Sequence, residues 1–321
     1  MLAYYLHDLS PFIFEVRPGV GLRWYGLSYV AAFLIGYWLY LGLSRRRYSE
    51  VPPDKVGDFI TWAAVFGVMV GGRLGWVIFY GWRDILHEPA QMLQVWKGGM
   101  SSHGGILGLV LFTLWYARRH RLSWTSIGDS LCAVAPVGLF LVRCANFING
   151  ELYGRPTTKP WAVQFPQELL EENDLAMRAA GAISRAIPDP SAGMDLRFDT
   201  PESLIHAIQT DDRAQEVARE FLTPRHPSQL YEAFLEGVVL FAALWFIRTR
   251  LRVPRGVVTG AFFILYALLR IIGEIFRVPD PAWAVGRLSP GQFLSLFLIV
   301  IGVAFVAWGL RAQQFERADQ A

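Results

Sequence analysis

The stretch Leu141-Val-Arg-Cys-Ala-Asn-Phe-Ile-Asn-Gly-Glu-Leu-Tyr-Gly-Arg155 places charged and amide side chains at the end of an otherwise apolar segment. Placing an arginine in the hydrocarbon of a bilayer costs about 3 kcal/mol even on the mildest scale. Arginine binds phosphate through a rigid fork of donors. On a helix, Arg143 shares a face with Asn146 and Gly150, so the stretch predicts a polar site at membrane depth. A helix–helix polar contact, with Arg143 paired to Glu151 or another acid, is the alternative.

The composition is typical of a protein that crosses a membrane several times. Of 321 residues, 53% are hydrophobic, 14% are aromatic and only 18% are charged, whereas a soluble domain carries about 25% charged residues. Several apolar runs approach the roughly 20 residues that span a bilayer as a helix. No basic block with interleaved aromatic residues suggests a nucleic-acid partner. We therefore predict an all-α, polytopic membrane protein.

Seven apolar segments are predicted to be transmembrane helices. They are residues 24–43, 57–80, 100–117, 126–149, 229–247, 257–276 and 290–310. The loops on one side, together with the C-terminal tail, contain thirteen Lys and Arg residues, against six in the short segments on the other side. Because positive residues are concentrated on the cytoplasmic side, the N-terminus is expected to be outside and the C-terminus in the cytoplasm.

A long polar insert separates the fourth span from the fifth. Residues 151–225 are rich in Glu, Asp, Arg and Pro, and short helices are expected at 168–181 and 201–222. This insert is predicted to be a small extracytoplasmic head. The membrane body then comprises residues 1–150, with spans one to four, and 226–321, with spans five to seven.

Neither the cysteines nor the N-terminus indicates a secreted domain. Cys132 and Cys144 would lie about 18 Å apart on one helix, too far for a disulfide, and are expected to be small buried hydrophobic residues. The N-terminal segment carries Asp8 and Glu15. It lacks the basic start and short apolar core of a cleavable signal peptide.

His103 is the one histidine of six that begins an apolar span. An imidazole can accept a proton from a nucleophile at neutral pH, and Gly104 and Gly105 leave its surroundings uncovered. A hydrogen-bonded histidine at the membrane interface is the alternative. No histidine, cysteine or paired acid lies nearby at a metal-ligand spacing, so neither a metal nor another cofactor is expected.

The segment Pro224-Arg-His-Pro-Ser-Gln-Leu-Tyr-Glu232 leads into the fifth span. Gln229 and Glu232 are three residues apart, on one face of the first helical turns. Arg225 precedes them, where an arginine can bind a lipid headgroup. A helix start with an arginine that extends to the interface explains the pattern equally well.

Charges also form a stripe on the sixth span. Arg270, Glu274 and Arg277 are spaced at i, i+4 and i+7, with Asp280 just beyond. A structural ion pair between Arg270 and Glu274 is the simplest explanation.

Two further features lie in the first two spans. The sequence Gly71-Gly-Arg-Leu-Gly75 favours close helix packing, and Arg73 within it needs an acid or a ligand. Tyr25 places a phenol at the start of the first span, where it is either part of a site or one of the interfacial aromatic residues.

At these residues the chain resembles the phosphatidylglycerol–prolipoprotein diacylglyceryl transferases over essentially its whole length. The shared motifs are Trp24-Tyr-Gly26, Gly71-Gly-Arg-Leu-Gly75, Ser102-His-Gly-Gly105, Arg143 to Arg155, Arg225 to Glu232, and Arg270 to Arg277 followed by Pro279-Asp280. Arg-Cys-Ala-Asn at 143–146 replaces the family's frequent Arg-Ile-Gly-Asn, and leaves the arginine and asparagine in place.

The resemblance implies a reaction, its substrates and a location. The diacylglyceryl group of phosphatidylglycerol would pass to the lipobox cysteine thiol of a prolipoprotein, with loss of glycerol 1-phosphate. The fold would have seven spans in the bacterial cytoplasmic membrane, with a periplasmic head.

The chemistry of that reaction suggests roles for the polar residues. A phosphate leaving group needs cationic stabilisation, for which Arg143 and Arg225 are the candidates. A thiol attacks as the thiolate, so His103 is the candidate base. The remaining candidates would orient the base or bind the headgroup: Tyr25, Asn146, Glu151, Asn149, Gly154, Gln229 and Glu232.

Three other classes of function are alternatives to the transferase. A transporter of a small anion or lipid would need polar groups in both halves of the membrane, and many transporters contain internal repeats, which we do not find. An intramembrane protease would need a Ser–His, paired Asp or His-Glu-x-x-His arrangement, which the sequence does not supply. A non-catalytic assembly protein would not need so dense a polar cluster.

Overall fold

The computed structural model describes residues 4–17, 20–82, 88, 90, 92, 99–187, 198, 200–278 and 290–316. In chain order its helices are α1 (Trp24–Arg45), α2 (Pro53–Gly81), α3 (Ser102–His120), α4 (Trp124–Ile148), α5 (Asn173–Ala186), α6 (Pro201–Thr210), α7 (Asp212–Ala218), α8 (Ser228–Arg250), α9 (Val257–Glu274) and α10 (Pro290–Ala312). Among the described residues, six helices are long and apolar enough to cross a membrane: α1, α2, α4, α8, α9 and α10. The predicted all-α, polytopic class is therefore confirmed.

Helix α3 matches the predicted third span in position but is less apolar than the other six. Its last turn carries Arg118, Arg119 and His120. It begins where the side chain of Ser101 accepts a hydrogen bond from the Gly104 amide, and it ends at Arg121, which adopts a left-handed conformation with φ 56°. Seven crossings and the orientation of the N-terminus remain predictions.

The chain divides into two compact units, each of which is described by itself. Unit 1 comprises residues 1–30, 139–239 and 266–297, and unit 2 comprises residues 31–138, 240–265 and 298–321. Cys132 belongs to unit 2 and Cys144 to unit 1, and both are free thiols.

In unit 2, glycines bring α2 and α3 into backbone contact. A Cβ atom on Gly71 would lie 2.7 Å from the carbonyl oxygen of Gly104, and one on Gly75 would lie 2.5 Å from the Cα atom of Gly104. Backbone atoms cannot move aside as a flexible side chain can. The close packing predicted for residues 71–75 is therefore confirmed.

In unit 1, a small sheet joins the N-terminal segment to the polar insert. Strand β1 (Tyr5–Leu6) pairs in parallel with β4 (Val163–Gln164), which pairs antiparallel with β5 (Pro224–Arg225). A separate hairpin, β2 (Phe12–Arg17) with β3 (Val20–Arg23), leads directly into α1. These short strands are additions to the helical fold predicted from the sequence.

The insert is helical in both regions where the sequence suggested helices, but the helices have different bounds and are more numerous. The helix expected at 168–181 is a 3₁₀ turn at Pro166–Leu170 followed by α5, and the one expected at 201–222 is divided into α6 and α7. Asp211 causes that division, because its carboxylate accepts hydrogen bonds from the amides of Arg213 and Ala214 and so begins a new helix. Leu6, Leu169, Ile183, Leu204, Ile208 and Leu222 contribute to the buried apolar core of this region.

Candidate active site

Arg143 lies in the last two turns of α4 and contacts two glutamates of α8. Its Nε atom is 3.0 Å from Glu232 Oε2, and its Nη2 atom is 3.2 Å from Glu236 Oε2. Both glutamate side chains are fully buried. They are four residues apart and so face the same side of α8. The alternative prediction, that Arg143 pairs with an acidic residue of the protein itself, is therefore confirmed. The acidic partners are Glu232 and Glu236 rather than Glu151.

Helix α9 supplies a second arginine to the same two glutamates. Arg270 Nη1 lies 2.9 Å from Glu232 Oε1 and 3.4 Å from Glu236 Oε1, while its Nη2 lies 3.3 Å from Glu274 Oε2. The predicted Arg270–Glu274 pair is confirmed. It is part of a larger network, because Arg277 Nη1 also lies 3.5 Å from Glu232 Oε1. Asp280 lies outside the described residues.

These contacts define an ion cluster, made of three arginines and three glutamates: Arg143, Arg270, Arg277, Glu232, Glu236 and Glu274. Its formal charges cancel. The three cationic side chains are only 12–16% exposed. Such a network fixes guanidinium groups in place, since removing any one charge would leave its partners buried and unpaired.

Glu232 was predicted to bind substrate directly, but in the structure it contacts arginines of the ion cluster. Its carboxylate contacts Arg143, Arg270 and Arg277 and has no exposed surface. It therefore positions arginines, and an anionic substrate would meet those arginines rather than Glu232 itself. Glu236 was missed from the sequence, although its spacing of four residues from Glu232 could have indicated it.

Glu151 is the centre of a second group, formed with three carboxamide side chains. Helix α4 ends at Ile148, and Gly150, with φ 69°, turns the chain so that Glu151 faces back toward the helix. Asn146 Nδ2 donates to Glu151 Oε1 at 2.6 Å, Asn149 Nδ2 donates to the same oxygen at 3.4 Å, and Gln229 Nε2 donates to the Glu151 carbonyl at 2.6 Å. The structure thus brings together four residues predicted to belong to the site.

The oxygens of these three carboxamides have no partner in the part of the chain that the structure describes. Asn146 Oδ1, Asn149 Oδ1 and Gln229 Oε1 are buried and accept no hydrogen bond from any described residue. Their orientation follows from chemistry, because each amide nitrogen faces an acceptor oxygen and the opposite rotamer would place two acceptors together. A buried unsatisfied acceptor is costly. The group is therefore suited to a ligand that donates hydrogen bonds.

Arg225 is engaged within the head region. Its Nη2 atom lies 2.5 Å from Glu168 Oε1, and its guanidinium lies over the ring of Tyr153, 4.9 Å from the centroid. Burial raises the pKa of Tyr153, so that the phenol stays neutral beneath the cation. Glu168 also accepts a hydrogen bond from the Thr223 amide. The neighbouring His226 has its pKa lowered by burial and by the charge of Lys159.

Gly154 lies where two other segments leave no space for a side chain. A Cβ atom there would be 2.5 Å from the Phe276 carbonyl oxygen and 2.6 Å from the His226 carbonyl oxygen. The Gly154 amide donates to that same His226 oxygen at 2.8 Å. Gly154 therefore joins the segments that carry Arg225 and Arg277.

Tyr25 begins α1 and stands edge-on to Tyr29, with ring centroids 5.4 Å apart. It is half-buried. This position is compatible with both roles predicted for it, in a site or among the interfacial aromatic residues.

His103 and Arg73 belong to unit 2. His103 is exposed in the first turn of α3. Arg73 is buried, and its Nε and Nη1 atoms donate to the carbonyl oxygens of Met92 and Gly99 at 3.1 and 2.7 Å. The sequence suggested that Arg73 needs an acid or a ligand. In the structure, backbone carbonyl oxygens accept hydrogen bonds from these two nitrogens.

A buried arginine–glutamate network on apolar helices that can cross a membrane defines a polytopic membrane protein with a polar site within its spanning segments. Comparison with known proteins shows which reaction related proteins catalyse. The family model for prolipoprotein diacylglyceryl transferase matches residues 11–308, and the chain belongs to this family of transferases.

Relatives similar over nearly their whole length include phosphatidylglycerol–prolipoprotein diacylglyceryl transferases from three bacteria. The protein of Nitratidesulfovibrio vulgaris is 40% identical, over 94% of this chain and 94% of its own. That of Rhodospirillum centenum is 39% identical, over 92% of this chain and 90% of its own. That of Bdellovibrio bacteriovorus is 38% identical, over 94% of each chain.

Proposed function

We propose that the protein transfers the sn-1,2-diacylglyceryl group of phosphatidylglycerol to the lipobox cysteine thiol of prolipoproteins, the first step of lipoprotein maturation. The observation that carries this proposal is the family match over residues 11–308. In the reaction, a bond forms between the thiol sulfur and the glyceryl carbon while the bond from that carbon to the phosphate oxygen breaks. The thiol proton passes to a base, and glycerol 1-phosphate leaves.

Arg143 is assigned to the phosphate, with Arg225 as the second cation. The leaving group gains charge as its bond to carbon breaks, so donors that are fixed beforehand stabilise the transition state more than the ground state. The ion cluster supports this assignment of Arg143, because Glu232 and Glu236 fix the orientation of its guanidinium. Arg225 is fixed comparably by Glu168.

The carboxamide group around Glu151 is assigned to the hydroxyls of the glycerol headgroup. Three buried oxygens without donors, on Asn146, Asn149 and Gln229, match a ligand rich in hydroxyl donors. Glu151 orients these amides, and Gly154 keeps the adjoining segments close together. Glu232 contributes to headgroup binding through the arginines that it positions.

His103 is assigned as the base that accepts the thiol proton, and Tyr25 as a residue that orients the reacting groups. The nucleophile belongs to the substrate, so the enzyme needs no reactive thiol of its own. Exposure of His103 at the start of α3 leaves its ring accessible to a second substrate.

The same proposal includes a location and an arrangement in the membrane. The excess of Lys and Arg in one set of loops supports a seven-span protein of the bacterial inner membrane, with its N-terminus in the periplasm. Residues 151–225 form the periplasmic head between membrane regions 1–150 and 226–321, and the site opens toward the periplasm.

The test is transfer by the purified protein in phosphatidylglycerol nanodiscs with a lipobox peptide. The expected result is a mass gain of one diacylglyceryl group on the peptide, equimolar with released glycerol phosphate. A peptide with serine in place of the cysteine is the matched control and should remain unmodified. Flux of a small anion through proteoliposomes without any peptide modification would instead support the transporter alternative.

A further inference from the structure

Unit 2 contains a large apolar groove along the line where α2 and α3 meet. The groove has a volume of about 920 Å³. Its walls are exposed apolar side chains of both helices, among them Phe66 and Leu74 of α2 and Leu107 and Leu111 of α3. None of the residues assigned to the phosphate or to the headgroup lines it.

The length of the groove distinguishes between possible occupants. On α2 its lining runs from Lys55 to Phe79, about 36 Å of helix at 1.5 Å per residue. The hydrocarbon core of a bilayer is about 30 Å thick, so an acyl chain of one leaflet covers only about half of that length. A helix of about 24 residues covers all of it.

The two ends of the groove differ in chemistry. Lys55, Asp58 and His120 line one end, and the Lys55 ammonium is 4.0 Å from Asp54. Asp58 is exposed there and can meet a positive charge. The other end is lined by Gly75, Ile78, Phe79 and Gly104. His103 directly precedes Gly104 and is exposed, so the candidate base stands at the apolar end.

The wall formed by α2 has unusual helical geometry. Ala63–Val70 and Val77–Gly81 are π-helical: their backbone hydrogen bonds link residues five apart, whereas those of an α-helix link residues four apart. Phe66, Val70, Ile78 and Phe79 of these segments line the groove. Such segments are rare in helices and are frequently found at functional sites.

We propose that this groove binds the apolar signal helix of the prolipoprotein, with its basic end at Asp58 and its lipobox cysteine at the His103 end. This inference rests on the proposed function, which supplies the second substrate. A whole export signal is 15–30 residues long, about 23–45 Å as a helix, and has a basic segment followed by 7–15 apolar residues and then the processing site. This is the same order as the chemistry along the groove. The groove thus selects the protein substrate and delivers its thiol to the base.

The first test fills the groove without altering the core. Leu111→Trp introduces a bulky ring at an exposed position in the middle of the groove, and Val300→Trp introduces the same ring at an exposed position of α10. For Leu111→Trp we expect KM for a full-length prolipoprotein to rise about tenfold, which corresponds to about 1.4 kcal/mol. The kcat, the KM for phosphatidylglycerol and the turnover of a short lipobox peptide should not change, and Val300→Trp should match the wild type.

A second test reverses the charge at the polar end. Asp58→Lys should raise KM for a prolipoprotein with lysines in its basic segment, and changing those lysines to glutamate should reverse the effect. Equal responses of both substrates would overturn the assignment of this end.

The outcomes separate this inference from the proposed function. Wild-type transfer to the prolipoprotein tests the function alone. If wild-type transfer occurs but Leu111→Trp raises KM for phosphatidylglycerol, the groove binds an acyl chain and the inference fails. If Leu111→Trp changes neither KM, the groove contains only bulk lipid and the inference fails as well.

Discussion

The Nε atom of Arg143 lies 3.0 Å from Oε2 of Glu232, and that glutamate side chain is completely buried. The same carboxylate contacts Arg270 and Arg277 through its other oxygen. A single acid on α8 therefore orients three arginines. A lysine can supply charge but not the planar fork that contacts Glu232 and Glu236 together.

The Arg143→Lys variant should therefore fold normally but lose most of its transfer activity. We expect kcat to fall by about 100-fold or more, the effect of removing one fixed donor from a developing anion. The midpoint of thermal unfolding should change little, because the positive charge in the cluster remains. Arg46→Lys, at an exposed position, is the matched control. Wild-type turnover by Arg143→Lys would exclude Arg143 as the phosphate ligand.

His103→Ala should slow transfer mainly at neutral pH. Without a base, the rate depends on the fraction of substrate thiol that is already ionised, and a free cysteine has a pKa of about 8.5. The rate of the variant should therefore recover as the pH rises through about 8.5. His206→Ala, an exposed histidine of α6, serves as control. A parallel drop at every pH would point to a positioning role for His103.

The helices and the site differ in how far the sequence determines them. The span predicted at 24–43 is α1 (Trp24–Arg45), and that predicted at 126–149 is α4 (Trp124–Ile148). Both were predictable because a bilayer requires a long apolar run and places aromatic residues at its ends. The head helices were less predictable, since Asp211 begins a new helix inside an otherwise continuous pattern.

The ionic partners were predictable only within one helix. Arg270 and Glu274 are four residues apart, so their pairing follows from helical geometry. Arg143 and Glu236 are 93 residues apart, and Arg225 and Glu168 are 57 apart. Which acid meets which arginine depends on how the helices pack, and no local spacing encodes that. Several of the polar residues that meet in unit 1 could therefore be singled out from the sequence, whereas their long-range contacts could not.

Arg225 and Glu168 provide a test that separates stability from catalysis. Arg225→Ala leaves a buried carboxylate unpaired, and we expect about 3–5 kcal/mol of destabilisation. Glu168→Gln combined with Arg225→Ala should recover part of that stability, measured by thermal unfolding. If Arg225 also binds phosphate, turnover should stay low in the double variant. If turnover recovers together with stability, Arg225 stabilises the head and does not bind phosphate.

The stability of unit 1 should decrease in mild acid because of His7. This buried imidazole lies 2.7 Å from the Phe147 carbonyl oxygen, and burial lowers its pKa below the usual 6.5. The folded protein then binds fewer protons than the unfolded chain below about pH 6.5. Stability should fall as the pH decreases, by up to about 1.4 kcal/mol per pH unit until the lowered pKa is reached. In His7→Phe this part of the pH dependence should disappear from unfolding midpoints measured between pH 5 and 8, and an unchanged slope would contradict the assignment.

Gly154→Ala and Gly181→Ala should have opposite effects. A Cβ atom at Gly154 meets two backbone carbonyl oxygens at 2.5 and 2.6 Å, so the segments that carry Arg225 and Arg277 must separate. A Cβ atom at Gly181, within α5, has nothing within 4 Å. Alanine there should stabilise the helix by about 1 kcal/mol. We expect Gly154→Ala to lower both the unfolding midpoint and the transfer rate, and Gly181→Ala to raise the midpoint at an unchanged rate. Normal transfer by Gly154→Ala would mean that the close approach of the Arg225 and Arg277 segments is not required for the reaction.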